Sequence, residues 1–152
     1  MNANRLTFDD VVVGQEFQTD NYLITAESIK SFASEFDPQA MHLDEDAAAT
    51  GPFGRLTASG WHTLALAMKL MAEAKPFGST SLVGIGVDEI KFLKPVFAET
   101  SIYVDAEVVE KRASSKPERG FVRMQLNVKD RATEQLLVSE IWTVMMPRLI
   151  DE

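Results

Sequence analysis

The sequence contains no cysteine. Disulfide bonds, thiol nucleophiles and thiolate metal ligands are therefore excluded. Basic residues are also few, because 15 lysines and arginines stand against 23 aspartates and glutamates, which gives a formal net charge of −8. This charge argues against a general nucleic-acid binder and against a protein that binds anionic membranes, since both need a positive surface.

Long apolar runs are absent as well. No apolar stretch reaches the roughly 18 residues that span a bilayer, and residues 1–5 lack the apolar core of a secretory signal. We therefore expect a cytoplasmic protein that does not bind membranes. Of the 152 residues, 45% are hydrophobic and 25% are charged, which is typical of a globular protein and predicts one domain over 1–152.

Histidine occurs only twice, at His42 and His62. His42 follows Asp37 by five residues, and Pro38 comes directly after that aspartate. An imidazole close to a carboxylate can exchange protons near neutral pH. Because proline disfavours a helix at the residue before it, a helix that precedes Asp37 should end there. We expect an irregular loop to bring Asp37 and His42 together.

The segment before Asp37 has the apolar spacing of a helix. Four apolar residues recur at positions i, i+3, i+4 and i+7, namely Ile29, Phe32, Ala33 and Phe36. Thr25 is a good N-cap for this helix, with Ser28 three residues later. Beyond His42, Asp44 is expected to cap a second, short helix over 45–49.

The longest apolar segment covers 61–74. Ser59 is its predicted N-cap, and Pro76 ends it. Since few of its positions are polar, we expect a central helix that is surrounded on nearly all sides.

The second half of the chain alternates between apolar and polar residues, as strands do. The predicted strands are 82–93, 101–109, 121–129 and 136–146, with a polar loop over 110–120. The last three strands should form an antiparallel meander. Together with the central helix they predict an α+β fold, in which an antiparallel sheet wraps one buried helix.

These residues resemble the MaoC-like dehydratases, in particular the single-domain (R)-specific enoyl-CoA hydratases. The resemblance runs from about Phe8 to Pro147. Its matching stretches are Phe32-Ala33 to Asp37, Asp37 to His42 with Leu43-Asp44, Ala58-Ser59-Gly60-Trp61, Phe92-Leu93-Lys94-Pro95-Val96, and the closing meander.

This sequence departs from the family motif at two places. The motif places Asp, any residue, Asn, Pro, any residue and His in that order. Here Gln39 keeps an amide where Asn is usual, and Ala40 replaces the proline. A serine that some family members carry further along the central helix is also missing, since 65–68 contains only Ala, Leu and Met.

The resemblance implies a hotdog fold and an acyl-thioester hydratase or dehydratase. Such an enzyme adds water to a trans-2-enoyl-CoA and forms an (R)-3-hydroxyacyl-CoA. Asp37 and His42 would hold the water and share the acid and base roles, in either order. The CoA thioester would be the substrate, with no metal or other cofactor. The resemblance also implies a homodimer, or a dimer of dimers, in which two sheets join edge to edge.

The thioester oxygen gains negative charge during such a reaction and needs a preorganised donor. The Gly60 N–H, at the positive end of the central helix, is the candidate. Glycine at this position would admit a thioester close to the backbone. Gln39, Ser59, Trp61 and Arg55 are the candidate substrate-binding residues, with Trp61 along the acyl tunnel and Arg55 near a CoA phosphate. The candidate tunnel floor is Ala67, Met68 and Met71.

Other interpretations of these side chains stay open. Asp37 could cap a loop, and His42 could be a buried structural histidine. A metal site from His42, Asp44 and Asp46 is disfavoured, because the two acids are better placed to cap and solvate a helix start. His62 is expected to be structural or to lie at an interface.

Two other functions also stay open. One is a hotdog acyl-CoA thioesterase, which would release free CoA. The other is a non-catalytic acyl-CoA-binding subunit, an alternative kept open by Ala40 and by the missing helix serine.

Overall fold

A computed structural model describes residues 5–149. A short 3-10 helix covers Phe8–Asp10. The α-helices are α1 (Ala26–Phe36), α2 (Ala40–Leu43), α3 (Glu45–Ala49) and α4 (Gly60–Ala74). The strands are β1 (Glu16–Gln18), β2 (Tyr22–Ile24), β3 (Val83–Phe92), β4 (Thr100–Ala113), β5 (Arg119–Asp130) and β6 (Leu136–Pro147). Within residues 5–149 no helix is long and apolar enough to cross a membrane.

The strands form one antiparallel sheet in the order β1-β4-β5-β6-β3, and β2 also pairs with β4. The predicted meander is confirmed as β4, β5 and β6. The predicted polar loop over 110–120 is too long, because β4 continues to Ala113 and β5 begins at Arg119. Arg112 and Phe121 are still paired across these strands, so the polar side chains there belong to a hairpin.

The sheet wraps around α4, so the predicted hotdog fold is confirmed. Alternate residues of β5 are fully buried, namely Val122, Met124, Leu126 and Val128. The residues that α4 adds to this core are Leu66, Ala67, Leu70 and Met71. The alternate residues of β5 and the residues on one face of α4 thus form a single core.

The prediction that α4 is surrounded on nearly all sides is wrong along one flank. Trp61 is 63% exposed, Met68 is exposed, and Leu64 is only half-buried. The strand beside this flank, β3, is itself exposed along almost its whole length. The apolar flank therefore has no cover within residues 5–149.

The helix α1 begins and ends as predicted. The Thr25 side chain accepts a hydrogen bond from the Ser28 N–H, and the Ser28 hydroxyl accepts one from the Thr25 N–H, each at 3.2 Å. The helix ends at Phe36, directly before Asp37. The chain then forms the single turn α2 instead of the predicted irregular loop, since the Gln39 carbonyl accepts from the His42 N–H at 2.9 Å.

Candidate active site

Asp37 and His42 are brought together by two successive helix ends. Asp37 is the residue after α1, and His42 lies in α2. His42 Nε2 and Asp37 Oδ2 are 3.4 Å apart, and both side chains are largely buried. The predicted proximity of the two side chains is therefore confirmed.

The opposite nitrogen of the imidazole fixes its tautomer. His42 Nδ1 lies 2.6 Å from the carbonyl oxygen of Thr57. Because a carbonyl can only accept, Nδ1 must carry a proton and donate it. In neutral His42 the lone pair is then on Nε2, which faces Asp37. Nε2 is thus the nitrogen that can exchange protons within the site.

The pKa of the Asp37 carboxyl is lowered by its neighbours. The main cause is the buried Ser59 hydroxyl, which lies beside the carboxylate without reaching full hydrogen-bond geometry. The Gln39 amide comes second and donates to Oδ1 at 2.6 Å. Burial opposes these effects, and the charge of His42 adds a smaller lowering. Asp37 is therefore ionised at neutral pH.

The start of α4 presents two free backbone donors. The N–H groups of His62 and Thr63 both donate to the Ser59 carbonyl, at 3.0 and 3.2 Å. The N–H groups of Gly60 and Trp61 meet no acceptor within residues 5–149. Ser59 occupies the predicted N-cap position, although its side chain makes no cap hydrogen bond. The start of α4 can receive an anionic group.

A cavity of about 300 Å³ lies in front of these groups. The predicted site residues on its lining are Asp37, Gln39, His42, Gly60 and Trp61. Ser59 lies behind this surface, against Asp37. Arg55 does not line the cavity; its guanidinium lies 3.7 Å from the centre of the Phe97 ring.

Buried hydroxyls surround the site, and the sequence analysis missed two of them. The hydroxyls of Thr57, Ser59 and Thr63 are buried and have no hydrogen-bond partner within residues 5–149. Thr57 and Thr63 also line the cavity. No local pattern signals the role of the Thr57 carbonyl. Thr63 could have been found, because it lies one helical turn after Gly60 and is one of the few polar residues of the central helix.

Gly60 has a different steric role from the one predicted. A Cβ on this residue would lie 2.5 Å from an edge atom of the Phe92 ring. The predicted room for a thioester on this side of the backbone is therefore filled by an aromatic ring. Glycine at this position permits close packing between the start of α4 and the end of β3.

A second cavity, of about 620 Å³, lies along the exposed flank of α4, between that helix, β3 and β6. Trp61 lines both cavities. Of the predicted tunnel floor, Met68 lines this second cavity, whereas Ala67 and Met71 are fully buried in the core. The cavity also contains Glu140, which the sequence analysis missed.

The remaining candidates have structural roles. His62 stacks on Phe32 with the ring centres 4.7 Å apart, and burial lowers the pKa of its imidazole. Asp44 caps α3 as predicted, since its carboxylate accepts from the N–H groups of Asp46 and Ala47. Within residues 5–149 no group of three or more acidic or histidine side chains is placed to hold a metal.

Comparison with known proteins adds family information to this geometry. The family model of the MaoC like domain matches residues 9–129. The protein YdeM of Bacillus subtilis, which is described as uncharacterized, is 31% identical over 136 residues, covering 90% of this chain and 96% of YdeM. The 3-hydroxyacyl-thioester dehydratase Z of Mycobacterium tuberculosis is 36% identical over 81 residues, covering 52% of this chain and 54% of that protein.

A solved structure agrees with the fold. The crystal structure of the MaoC-like dehydratase from Rhodospirillum rubrum has a TM-score of 0.86 and 31% sequence identity. The match covers 96% of this chain and 99% of that one.

Proposed function

Because this chain belongs to the MaoC-like dehydratase family, we propose that it adds water to a trans-2-enoyl thioester through Asp37 and His42 and catalyses the reverse dehydration. The observation that carries the proposal is the 3.4 Å approach of the two side chains at a cavity that also receives the start of α4. The relative from Mycobacterium tuberculosis, a 3-hydroxyacyl-thioester dehydratase, supports this substrate class.

The geometry favours one division of the proton transfers. Asp37 is held ionised, so it accepts a proton from the water as the water oxygen bonds to the β-carbon. The proposed step requires the imidazolium form of His42, which keeps Nδ1–H on the Thr57 carbonyl and donates its Nε2 proton to the α-carbon. The proton on Asp37 then returns to His42 Nε2 across the gap of 3.4 Å. In total, one water and one enoyl thioester are consumed, and one hydroxyacyl thioester is formed.

The start of α4 stabilises the charge that develops on the thioester oxygen. In this proposal the Gly60 N–H donates to that oxygen, with the Trp61 N–H beside it, and the helix dipole adds to both. Preorganised donors of this kind typically contribute about 100- to 1000-fold in rate each. The reaction as proposed uses no metal or organic cofactor.

We also propose that two copies associate through β3. This strand pairs with β6 on one side, and its other edge has no strand partner within residues 5–149. Val83, Ile85 and Val87 are exposed along it. An open strand edge with apolar side chains favours pairing with another strand, and a second copy of β3 supplies a matching edge.

The test of the activity follows the loss of enoyl-thioester absorbance with crotonyl-CoA and a longer enoyl-CoA. We expect turnover by the wild type and a loss of about 100- to 10,000-fold in kcat/KM for Asp37→Asn and for His42→Ala. Asp46→Asn, a change of the same kind at an exposed residue of α3, should keep full activity.

A thiol reagent in the same assay separates the alternatives. Release of free CoA would identify a thioesterase and contradict the proposal. Binding of both substrates with no turnover would identify a non-catalytic acyl-CoA-binding subunit. A cytoplasmic location and a single domain over 1–152 stay predictions, which cell fractionation and limited proteolysis would test.

A further inference from the structure

Glu140 is a buried acid on an otherwise apolar face. Its side chain points to the same side of β6 as four apolar neighbours at alternate positions, namely Val138, Trp142, Val144 and Met146. Glu140 is only 2% exposed. The mechanism proposed above does not use this carboxyl.

The protein supplies little to stabilise a charge on Glu140. The Trp142 indole N–H donates to Oε1 at 2.7 Å, and no other donor to the carboxyl occurs within residues 5–149. Burial raises the pKa of the Glu140 carboxyl, and the Trp142 hydrogen bond only partly offsets this. A buried carboxyl with one partner destabilises a fold compared with an apolar residue. Packing alone does not explain why an acid stands at this position.

The cavity beside Glu140 is suited to bind an acyl chain. Most of its lining is apolar, including Leu64, Met68 and Ile85, and Glu140 is the one ionisable residue among the described residues that line it. Gly84 leaves it open, because it pairs with Val144 of the cavity lining and a Cβ on it would meet no atom within 4 Å. A ligand in this cavity therefore finds apolar walls and a single carboxyl.

The cavity is aligned with the proposed reaction centre. Trp61 lines both cavities, and Leu64 and Met68 follow it on the same flank of α4. Four residues of helix advance about 6 Å. A thioester held at the Gly60 N–H would extend its acyl chain along this flank and past Trp61, to reach the surface that holds Glu140.

We propose that Glu140 makes the enzyme selective for acyl groups that carry a hydroxyl on the chain, away from the thioester. The inference rests on the proposed function, since it takes the acyl chain of that substrate as the ligand. The carboxyl oxygen that Trp142 does not contact accepts a hydrogen bond from the ligand hydroxyl, while the Trp142 N–H holds Oε1 in place. An unsubstituted chain leaves the carboxyl without this partner and binds more weakly.

Binding is measured without turnover by using saturated thioesters, which the proposed reaction does not consume. The probes are octanoyl-CoA and a set of hydroxyoctanoyl-CoAs that differ in the position of the hydroxyl. Trp61 and Trp142 are the only tryptophans in the sequence, and both line the cavity, so tryptophan fluorescence reports its occupancy. For the best-placed hydroxyl we expect about tenfold tighter binding than for octanoyl-CoA, or more.

Two variants test whether Glu140 causes the preference for hydroxylated acyl chains. Glu140→Met keeps the side-chain length and removes the acceptors, so hydroxyoctanoyl-CoA should lose its advantage and octanoyl-CoA should bind at least as tightly as before. Glu140→Gln keeps one oxygen as the acceptor for Trp142 and presents an N–H donor to the oxygen of the ligand hydroxyl, so it should retain part of the preference. If Glu140→Met does not fold by circular dichroism, the comparison between wild type and Glu140→Gln decides.

A third variant tests the location. Gly84→Val adds a side chain on the face that β3 shares with Val144, its partner in β6 and a residue of the cavity lining. No atom lies within 4 Å of the new Cβ, and a strand accepts valine readily, so the substitution should weaken the binding of every octanoyl probe. Unchanged affinities would place the acyl chain elsewhere and overturn the inference.

The outcomes separate this inference from the proposed function. Octanoyl-CoA that binds the wild type without any preference for a hydroxylated probe would overturn the role of Glu140 and leave the hydratase proposal standing. A preference that persists unchanged in Glu140→Met would do the same. If no octanoyl probe binds while the enoyl assay also shows no turnover, the proposed function itself fails.

Discussion

At the scale of single residues, the site depends on backbone and hydroxyl groups around the dyad. The Thr57 carbonyl selects the His42 tautomer, and the Ser59 hydroxyl is the main cause that lowers the pKa of Asp37. Both residues lie in the buried segment just before α4. The two ionisable side chains are thus controlled by a part of the chain that follows them in sequence.

Replacing Ser59 by Ala should raise the pKa of Asp37, because the group that lowers it most is removed. A carbon-13 NMR titration of the Asp37 carboxyl measures this directly. Ser34→Ala, at an exposed serine of α1, is the control and should leave the titration unchanged. The same pKa in Ser59→Ala and wild type would contradict the prediction.

The lowered pKa of Asp37 also links stability to pH. Because the folded-state pKa lies below the ordinary value of about 3.9, ionised Asp37 stabilises the folded state at pH above that value. This contribution disappears as pH falls through the lowered folded-state pKa. Chemical denaturation should therefore show that the stability of Ser59→Ala relative to wild type falls as the pH rises from acid to neutral.

Thr63→Val should separate activity from stability. Its buried hydroxyl has no partner within residues 5–149, so replacing it by a methyl group should leave the free energy of unfolding equal or raise it by about 1 kcal/mol. If the hydroxyl binds water or thioester in the cavity, kcat/KM should fall about tenfold, and Thr63→Ser should recover it. Unchanged activity in Thr63→Val would contradict a role in the site.

At the scale of elements, the proposed reaction centre lies where α1, α2 and the start of α4 meet the end of β3. The ring of Phe92, the last residue of β3, packs on Gly60, the first residue of α4. This contact sets the position of the helix start and therefore of its free N–H groups. The proposed donors are thus positioned by a strand as well as by their own helix.

Gly60→Ala should move these two elements apart. The new Cβ would lie 2.5 Å from the Phe92 ring, so we expect a stability loss of about 1–3 kcal/mol from overpacking and a fall in kcat. The double variant Gly60→Ala, Phe92→Ala makes room for the methyl group. In a double-mutant cycle the two losses should be less than additive, and strict additivity would show that the contact does not matter.

At the scale of the whole molecule, the two edges of the sheet differ. On one side, β1 and β2 both pair with the outer edge of β4. On the other side, β3 exposes apolar side chains, and the uncovered flank of α4 lies beside it. A second copy paired at β3 would cover both features.

Val87→Lys should therefore weaken the dimer and lower activity. Val87 lies on β3 and is 50% exposed, so in a monomer the substitution would cost little. Sedimentation velocity at several concentrations should show a dimer for wild type and a monomer for Val87→Lys. Val109→Lys, at an exposed valine of β4, is the matched control and should stay dimeric. A monomeric wild type would contradict the proposed association.

Much of the fold follows from short-range patterns in the sequence. Thr25 and Ser28 predict the start of α1, and Pro38 predicts its end, because capping and proline effects depend on residues only a few positions apart. The alternation in β4, β5 and β6 likewise predicts a sheet with one buried face. The spacing of Asp37 and His42 predicted the proximity of these two side chains for the same reason.

Other features depend on residues that are distant in the chain. Nothing near His42 indicates that the Thr57 carbonyl will fix its tautomer, and nothing near Gly60 indicates that Phe92 will fill the space beside it. The apolar residues of α4 predicted burial, yet one flank stays uncovered because β3 ends the sheet. Glu140 stands among apolar residues in a period-two pattern, but only the packing of β6 against α4 shows that its carboxyl faces a cavity. Neighbouring residues determine helix caps, helix ends and strand alternation, because these depend on short-range contacts. A site between elements forms only when long-range packing brings those elements together.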